Sequence, residues 1–354
     1  MIDTVVVINS DTSYLESKLA SLGIKVFAFD YYNHNNLDKI QSLIYLESFI
    51  NKISVHNKNI GLIYGSGLED KPEIYDYLKT KLQILGNNPN ILTKCNNLRL
   101  LQDILSKCNL KLPEHTDNPD NISKKYLSKP YNSSGGYNIS FNESSRKGYY
   151  FQEYLPGETY SVSFFNYKDN FTFLGFNKLL QLVNYQPHPF IHAGAITTAK
   201  FENSYNIISS FKKLARYLSM NGYNSIDFKV IDNEVFILDI NPRITSTFKI
   251  YNDCYNNALL NHMIDPGLGK VEEKDSNNIY AFVHMFVKNK YVFKNIFIND
   301  SSFLNLPEEG QYVDKNQPLL SIYINSFSES DLLIQLKEKI SMTRNLYNCY
   351  DIDI

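Results

Sequence analysis

One segment limits the possible folds of this chain more than any other: SIDFKVIDNEVFILDINPRITST, residues 225–247. Two short apolar runs meet there at a polar Asp-Asn pair, a pattern that is typical of a β-hairpin. We predict a three-residue turn centred on Asn233, which would place Val230 near Phe236 on the opposite strand. The chain is therefore expected to contain at least one antiparallel pair of strands in this region.

The same register places two carboxylates face to face. Asp227 would lie directly opposite Asp239, and like charges in such positions destabilise a sheet. Asn241 shares a face with Asp239 because side chains alternate along a strand, whereas Leu238 and Ile240 point to the other face. Two carboxylates and an amide oxygen suit Mg²⁺, and a cation would remove the repulsion. The alternative is an exposed sheet face on which both acids are simply solvated.

Composition and charge exclude several classes of function. The chain has 354 residues, of which 43% are hydrophobic and 20% charged, as in ordinary globular proteins. A formal net charge of −2 gives no electrostatic basis for nucleic-acid binding. The four cysteines form no C-x-x-C pair, so we expect reduced thiols in a cytoplasmic protein. No apolar run reaches the length of a membrane span, and we expect no membrane partner.

Strand and helix patterns divide the chain into three predicted units. Residues 1–88 alternate strands with helices, which is typical of a small parallel α/β sheet. This unit lacks the dinucleotide fingerprint, because Asn-Ser-Asp follows the first strand instead of a glycine motif. Residues 89–265 are rich in strands and include the hairpin, and residues 266–354 are expected to form a smaller α+β tail. The expected fold class is therefore mixed, α/β and α+β.

A lysine precedes a serine–glycine turn in LSKPYNSSGGYNISF, residues 127–141. Lys129 would end a strand, and the backbone N–H groups of the turn Ser133–Gly136 can approach phosphates closely. The order differs from the GxxxxGK[ST] phosphate loop, in which the lysine follows the glycines. On its own, the segment is a weak signal, and a polar hairpin turn is the commoner explanation of such a sequence.

A third segment, YYFQEYLPGETYSVSFF, covers residues 149–165. A strand runs into Gln152–Leu155 and is followed by a turn at Pro156–Gly157. The edge of such a strand can offer backbone N–H and C=O groups to a flat heterocycle. The alternative is an ordinary strand and turn with no ligand.

Taken together and in this order, the three motifs resemble those of the ATP-grasp ligases over roughly residues 90–260. A narrower likeness to the branch described as carboligases related to biotin carboxylase is carried by LIYGSGLED (62–70), LGNNP (85–89) and HAGAIT (192–197). The resemblance implies an ATP-grasp domain that follows a Rossmann-like pre-ATP-grasp unit (1–88) and precedes the small tail.

The resemblance implies that ATP binds between two α+β subdomains. A lysine would contact the phosphates, a serine–glycine loop would close over them as a lid, and a hinge would read adenine largely through its backbone. The residues implied for these roles are Lys129 for the phosphates, Ser133, Ser134, Gly135 and Gly136 for the lid, and Gln152, Glu153, Tyr154 and Leu155 for the hinge.

The resemblance also assigns the metal and catalytic residues. Asp227, Asp239 and Asn241 match the magnesium ligands of the family, which implies two Mg²⁺ ions, with Mn²⁺ as the alternative metal. Arg243 matches a residue that, together with Lys129, stabilises charge on the transferred phosphoryl group. The alternative for Arg243 is a surface ion pair.

Several positions depart from the family pattern. The acid that binds ribose would be Glu158, but Thr159 follows it and leaves the match ambiguous. The family usually has a second, upstream lysine that contacts ATP; here Lys94 and Arg99 compete for this role, and neither aligns cleanly. Asp239 stands where glutamate is commoner.

Two histidines have open interpretations. His192, with Gly194, would lie near the mouth of the site if the resemblance holds, and the alternative is a half-buried strand residue. His284 lies among apolar neighbours and is expected to be a hydrogen-bonded core histidine.

The implied activity is that of an ATP-dependent carboxylate–amine ligase. A carboxylate attacks the γ-phosphate of ATP, and an amine displaces phosphate from the resulting acyl phosphate to form an amide in small-molecule or cofactor biosynthesis. Members of the branch are associated with pathways of C1-carrier cofactors. The alternatives are a carboxylase acting on bicarbonate, as in biotin carboxylase, and a non-catalytic ATP-binding sensor. The expected partners are a small carboxylate and an amine, with a homodimer as the default assembly.

Overall fold

The computed structural model has the mixed α/β and α+β architecture expected from the sequence. It describes residues 2–30, 43–57, 59–67, 69, 71–142, 147–168, 170–185, 188–197, 200–268, 270–272, 278–296 and 300–354. Three sheets organise these residues: an N-terminal sheet, a lid sheet and a main sheet. None of the helices in the described ranges combines the length and apolarity needed to cross a membrane.

The N-terminal sheet has four parallel strands, ordered second, first, third and fourth along the chain. Its first strand, TVVVI, is buried throughout, as expected for a parallel strand that is covered on both faces. The strands are Thr4–Ile8, Lys25–Phe29, Ile60–Tyr64 and Gln83–Ile84, and the helices that accompany them are Ser13–Ser21, Leu43–Ser54 and Pro72–Lys81. The carboxyl ends of these strands share one edge, which faces the rest of the molecule.

The lid sheet has four short antiparallel strands, in the order first, fourth, second and third. Its strands are His115–Thr116, Tyr126–Pro130, Ser140–Phe141 and Tyr149–Glu153. Two helices precede it, Asn90–Asn96 and Leu98–Lys107. Asn97 caps the N-terminus of the second helix, and its side chain accepts a hydrogen bond from the Leu100 N–H (3.1 Å).

The main sheet has nine strands and continues beyond residue 266. Eight of its strands follow one another in the order Glu234–Asn241, Gly222–Ile231, Tyr160–Tyr167, Asn170–Val183, His192–Ile196, Ile279–Phe286, Pro318–Ser326 and Phe303–Leu304, and Asp351–Ile352 pairs with Asn170–Val183. A separate short pair joins Tyr291–Val292 to Tyr312–Val313. The helices of this part are Ser204–Leu218, Phe248–Cys254, Ala258–Ile264 and Glu329–Tyr347.

One face of the main sheet is covered by the helix Ser204–Leu218. Phe211 and Leu214 of this helix are fully buried in the same core cluster as Ile226 and Phe228 of the sheet. The amphipathic spacing of the helix therefore determines which sheet face becomes apolar. The side chains that alternate to the other face are free to be polar.

The acidic hairpin, formed by the strands Gly222–Ile231 and Glu234–Asn241, has a two-residue turn. Asp232 and Asn233 both have positive φ values (51° and 63°), which is typical of a type I′ hairpin turn. Val230 consequently pairs with Val235. The predicted three-residue turn and the predicted pair of Val230 with Phe236 are both wrong.

A β-bulge restores the predicted pairing of the two acids. Phe228 pairs with Ile237, but Asp227 pairs with Asp239, so Leu238 is an extra residue on its strand. One additional residue shifts the register by one position. The prediction that Asp227 faces Asp239 is therefore confirmed, although the turn was predicted incorrectly.

Candidate active site

The two acids belong to a row of polar residues that crosses four strands. Asn177 pairs with Ser161, Ser161 with Asp227, and Asp227 with Asp239. A second polar row, two residues away along each strand, consists of Ser163, Ser225 and Asn241. Directly paired residues point to the same face of a sheet, so these two rows form one polar surface opposite the helix-covered face.

The two carboxyl groups of the hairpin face each other, with Asp227 half-buried and Asp239 exposed. Burial, followed by the charge of Asp239, raises the pKa of Asp227 to about 8, although the positive charges of Arg243 and Lys129 oppose this shift. The amide nitrogen of Asn241 donates to Asp239 Oδ2 at 3.3 Å, which leaves the amide oxygen of Asn241 as its ligand atom. The pair is thus in a position where a cation would be strongly stabilising.

The donor set fits Mg²⁺ that arrives with a nucleotide. Within the described ranges, no group of three or more His, Cys, Asp or Glu residues is arranged to hold a metal ion. The hairpin supplies two carboxylates and one amide oxygen, and Mg²⁺ is usually held by one or two carboxylates together with substrate phosphates. These residues therefore fit an open magnesium site better than a closed structural one.

Lys129 bridges the lid sheet and the acidic hairpin. Its Nζ donates to Gln152 Oε1 (3.2 Å) and to the carbonyl of Leu238 (3.0 Å), and it lies 5.7 Å from the centre of the Tyr150 ring. Burial lowers the pKa of Lys129, but Tyr150 and the Asp239 carboxylate outweigh it, so the pKa is raised overall. The side chain is therefore a cation beside the two carboxylates.

The serine–glycine loop Ser133–Gly136 is docked on the segment that leads into the main-sheet strand His192–Ile196. The N–H of His192 donates to the Gly135 carbonyl at 3.1 Å. Gly136 has a φ of +81°, and a Cβ at this position would lie 1.8 Å from the Phe190 carbonyl oxygen. The close approach of the two backbones thus requires glycine.

The hinge residues already use part of their backbone. The N–H of Glu153 donates to the Glu114 carbonyl (2.7 Å), and the N–H of Tyr154 donates to the Lys125 carbonyl (2.9 Å). Among the described residues, no acceptor is found for the N–H of Leu155. Of the three N–H groups, that of Leu155 is thus the one available to a base.

Two side chains at the ends of the hinge segment, those of Gln152 and Glu158, have definite partners. Gln152 is buried and accepts from Lys129, so it positions that lysine. Glu158 is exposed and contacts Lys178 Nζ (2.7 Å) and the Tyr160 hydroxyl (2.5 Å). The hydrogen bonds from Lys178 and Tyr160 lower the pKa of Glu158, so it is a carboxylate at neutral pH.

Arg243 forms a buried ion pair that the sequence did not reveal. Its Nη2 lies 3.0 Å from Glu69 Oε1, and the two side chains are only 7% and 11% exposed. Glu69 Oε2 accepts from the Gly67 N–H at 2.8 Å. The alternative interpretation of Arg243, a surface ion pair, is therefore wrong, because the pair is buried. The pair joins the segment after the acidic hairpin to the loop after the third N-terminal strand. An acid after the glycine turn in LIYGSGLED was the available signal.

The two histidines of the main sheet lie close together. His192 Nε2 is 3.3 Å from the Ser246 hydroxyl, three residues after Arg243, and His284 Nδ1 is 3.0 Å from the Ser321 hydroxyl. Burial lowers the pKa of each histidine to about 4, so both are neutral at pH 7. The predicted hydrogen-bonded state of His284 is confirmed, and the ring of His192 points towards the loop that follows Arg243.

Three further predictions concern the upstream basic residues, Gly194 and the cysteines. Lys94 and Arg99 are both exposed, and the geometry does not favour either as the upstream ATP contact. A Cβ on Gly194 would lie 2.2 Å from the Phe282 carbonyl oxygen, so this glycine serves close strand packing. All four cysteines are free thiols, as expected.

Sequence reasoning also missed Lys229. This residue is 7% exposed, and its ammonium donates to the Gly157 carbonyl just after the hinge. It follows Asp227 by two residues and hence lies on the same face of the strand. A lysine two residues after Asp227, in the apolar half of the strand, was the signal that could have identified it.

A groove of about 410 Å³ lies outside this site. It is lined by Gln102, Ser106, Leu110, Lys111, Leu112, Pro113, Glu114 and His115, none of which is a predicted site residue. We assign the candidate site to the acidic hairpin because that region combines carboxylates, buried cations and a docked loop.

Comparison with known proteins agrees with this geometry. Residues 95–247 match the family model described as an ATP-grasp domain. This segment is therefore similar to ATP-grasp domains, and the chain has the ATP-grasp fold, as the resemblance implied. A curated relative, an uncharacterised protein of Methanocaldococcus jannaschii, is 21% identical in an alignment of length 351. The alignment covers 89% of this chain and 86% of the relative.

Solved structures share the fold along nearly the whole chain. A biotin carboxylase from Campylobacter jejuni, in complex with β-γ-ATP, has a TM-score of 0.73 at 11% identity and covers 100% of this chain and 92% of its own. The biotin carboxylase domain of the Hydrogenobacter thermophilus 2-oxoglutarate carboxylase, solved with MgADP and bicarbonate, has a TM-score of 0.72 at 11% identity. The match covers 100% of this chain and 91% of that domain's chain. An L-amino acid ligase from Bacillus licheniformis has a TM-score of 0.71 at 12% identity, and the match covers 95% of this chain and 96% of the ligase.

Proposed function

We propose that the chain is a cytoplasmic ATP-dependent ligase that joins a carboxylate to an amine through an acyl phosphate. The observation that carries this proposal is the junction of the lid sheet and the acidic hairpin, where Lys129 reaches Leu238 beside the facing acids Asp227 and Asp239. This junction concentrates two carboxyl groups and a half-buried lysine in one place. Phosphoryl transfer needs such positioning and charge neutralisation more than it needs a protein nucleophile.

Each residue group has a distinct task in this reaction. Asp227, Asp239 and Asn241 would hold Mg²⁺, which supplies charge neutralisation for the phosphate oxygens. Lys129 neutralises the phosphoryl group that is transferred to the acceptor carboxylate. Arg243, held by Glu69, offers a fixed positive charge on the side of the N-terminal sheet, where the acceptor carboxylate would bind.

Bond changes proceed in two steps. A carboxylate oxygen attacks the γ-phosphorus, the bond to the β-phosphate oxygen breaks, and ADP leaves. The amine nitrogen then attacks the acyl carbon, phosphate leaves, and the amide bond forms. The docked loop Ser133–Gly136 would keep water from the acyl phosphate between the two steps.

A second candidate is a carboxylase that activates bicarbonate. The similarity to biotin carboxylases extends over the whole chain, and bicarbonate is a small anion that suits the buried Arg243. The sequence has no biotinyl Met-Lys-Met site, so a separate acceptor would be needed. A C1-carrier cofactor pathway is one setting in which either reaction would serve.

The test is a screen for ADP and phosphate released from Mg·ATP by pairs of acids and amines, with bicarbonate alone as a parallel arm. A ligase requires both an acid and an amine for sustained phosphate release, whereas a carboxylase releases ADP with bicarbonate and no other acid. Asp239→Asn is the matched inactive control. A protein that binds Mg·ATP yet releases no ADP with any pair would be a sensor, and the ligase proposal would then be wrong.

A further inference from the structure

Lys229 is a buried lysine on the polar face of the acidic hairpin. It is 7% exposed and lies two residues after Asp227, on the same face of the strand. Lysine is almost never fully buried without an anionic partner, because removing an ammonium from water is costly. The residue therefore needs a functional explanation.

The ammonium of Lys229 has few partners within the protein. It donates to the Gly157 carbonyl and lies 5.9 Å from the centre of the Tyr154 ring. No carboxylate forms an ion pair with it among the described residues. A lysine ammonium has three donors, and one acceptor is found for them in the described part of the chain.

The position of this ammonium relative to the hinge indicates what would complete its contacts. Gly157 closes the turn after the hinge Glu153–Leu155, so the ammonium lies at the hinge end of the cleft. Asp227, on the same strand face, marks the opposite end, where the phosphates and Mg²⁺ are expected. The nucleoside half of a bound nucleotide would lie between them, over the stem of Lys229.

We propose that Lys229 is a nucleoside-contacting residue of the ATP site. Its methylene stem forms a platform for the base, and its ammonium donates to an acceptor atom of the nucleoside, either a ribose hydroxyl or a ring nitrogen of the base. This inference rests on the proposed function, because it requires a nucleotide between the lid sheet and the main sheet. It adds a contact residue that none of the motifs in the sequence identifies.

The experiment measures MgADP binding by calorimetry in the full chain. Lys229→Met keeps the apolar stem and removes the charge, and we expect affinity for MgADP to fall about tenfold or more, as for a lost charge-assisted hydrogen bond. Lys229→Ala also removes the platform and should bind still more weakly. Lys111→Met is the matched control, because Lys111 contacts the edge of the same hairpin but is 52% exposed and paired with Glu234.

Two further ligands separate a nucleoside contact from a structural role. Inorganic triphosphate with Mg²⁺ lacks the nucleoside, so the ratio of MgADP affinity to triphosphate affinity should fall about tenfold in Lys229→Met. With 2′-deoxy-ADP and 3′-deoxy-ADP, the effect of the substitution disappears if the ammonium contacts that hydroxyl and persists if it contacts the base.

Three results would count against the inference or its basis. An unchanged MgADP affinity in Lys229→Met would overturn it, as would an equal loss of affinity for MgADP and triphosphate. Lys229→Gln, which keeps a donor for the Gly157 carbonyl, is measured in the same way if Lys229→Met does not fold. A wild-type chain that binds no MgADP at all would instead contradict the proposed function itself.

Discussion

The ammonium of Lys129 lies 3.0 Å from the carbonyl of Leu238, the extra residue of the β-bulge in the acidic hairpin. The bulge interrupts regular pairing at Leu238, and the carbonyl accepts a hydrogen bond from another sheet. One irregular residue thus has two consequences: it sets Asp227 opposite Asp239, and it fastens the lid sheet to the strand that carries Asp239. The proposed metal ligands and Lys129, the proposed phosphate contact, are held by the same backbone feature.

The first prediction concerns the facing acids. Asp239→Asn removes the charge that opposes ionisation of Asp227 without changing the size of the side chain, so the nucleotide-free protein should be as stable as the wild type or more stable, by up to about 1 kcal/mol. The same change removes a proposed metal ligand, and we expect the stabilisation by Mg·ATP to be lost and turnover to fall about 100-fold or more. Thermal unfolding with and without Mg·ATP checks both effects. A Mg·ATP-dependent stabilisation equal to that of the wild type would remove the proposed metal site.

Sequence patterns were sufficient for the regular parts of the fold. The buried run Thr4–Ile8 and the amphipathic helix Ser204–Leu218 have periodicities that determine which residues are inside. The pairing of the two acids was also predictable, but through two compensating differences: the turn is one residue shorter than expected, and the bulge adds the residue back. A bulge has no simple sequence signature, so the register beyond Phe228 could not be derived from the turn alone.

The site was predictable only where its residues lie in recognisable motifs. Asn241 follows from its two-residue spacing from Asp239, and Lys129 follows from the resemblance of its segment to a family motif. Glu69 and Lys229 do not, because their contacts with Arg243 and Gly157 join segments that are remote in the sequence. Such pairs depend on how the N-terminal sheet and the hinge pack against the main sheet, and single-segment patterns carry no information about that packing.

The second prediction concerns the buried ion pair of Arg243 and Glu69. Arg243→Met leaves the Glu69 carboxylate buried without its charge partner, and the free energy of unfolding should fall by about 3 kcal/mol. Adding Glu69→Gln to this variant should restore part of the loss, because the uncompensated charge is then removed. Urea denaturation of both single variants and of the double variant measures the coupling.

The exposed pair Lys111–Glu234 is the control for this cycle. Its side chains are 52% and 49% exposed, so Glu234→Gln should change the free energy of unfolding by less than about 1 kcal/mol. Strictly additive effects of the Arg243 and Glu69 substitutions would show that the two side chains do not interact in solution.

The third prediction concerns the docked loop. A methyl group on Gly136 would lie 1.8 Å from the Phe190 carbonyl oxygen, so Gly136→Ala should prevent docking of the loop Ser133–Gly136. We expect faster amide hydrogen exchange at His192, whose N–H donates to the Gly135 carbonyl, together with weaker Mg·ATP binding.

Gly148→Ala is the matched control for the loop. Gly148 has nearly the same φ (+83° against +81°), but no atom lies within 4 Å of a Cβ built there. The control therefore has the same backbone strain without the clash. Equal exchange rates at His192 in both variants would mean that strain, and not contact with Phe190, determines the behaviour of the loop.

The fourth prediction concerns the dependence of stability on pH. Burial lowers the pKa of His192 and of His284 to about 4, whereas an unfolded histidine titrates near 6.5. Between pH 6.5 and 4 the unfolded chain consequently binds more protons than the folded chain, and stability falls as the pH decreases. Each histidine should contribute up to about 3 kcal/mol to this fall.

His192→Gln and His284→Gln should each flatten the dependence of the unfolding free energy on pH between these limits, while His56→Gln, at an exposed position, should leave it unaltered. A slope in both buried-site variants equal to that of the wild type would show that neither imidazole is kept neutral by the fold.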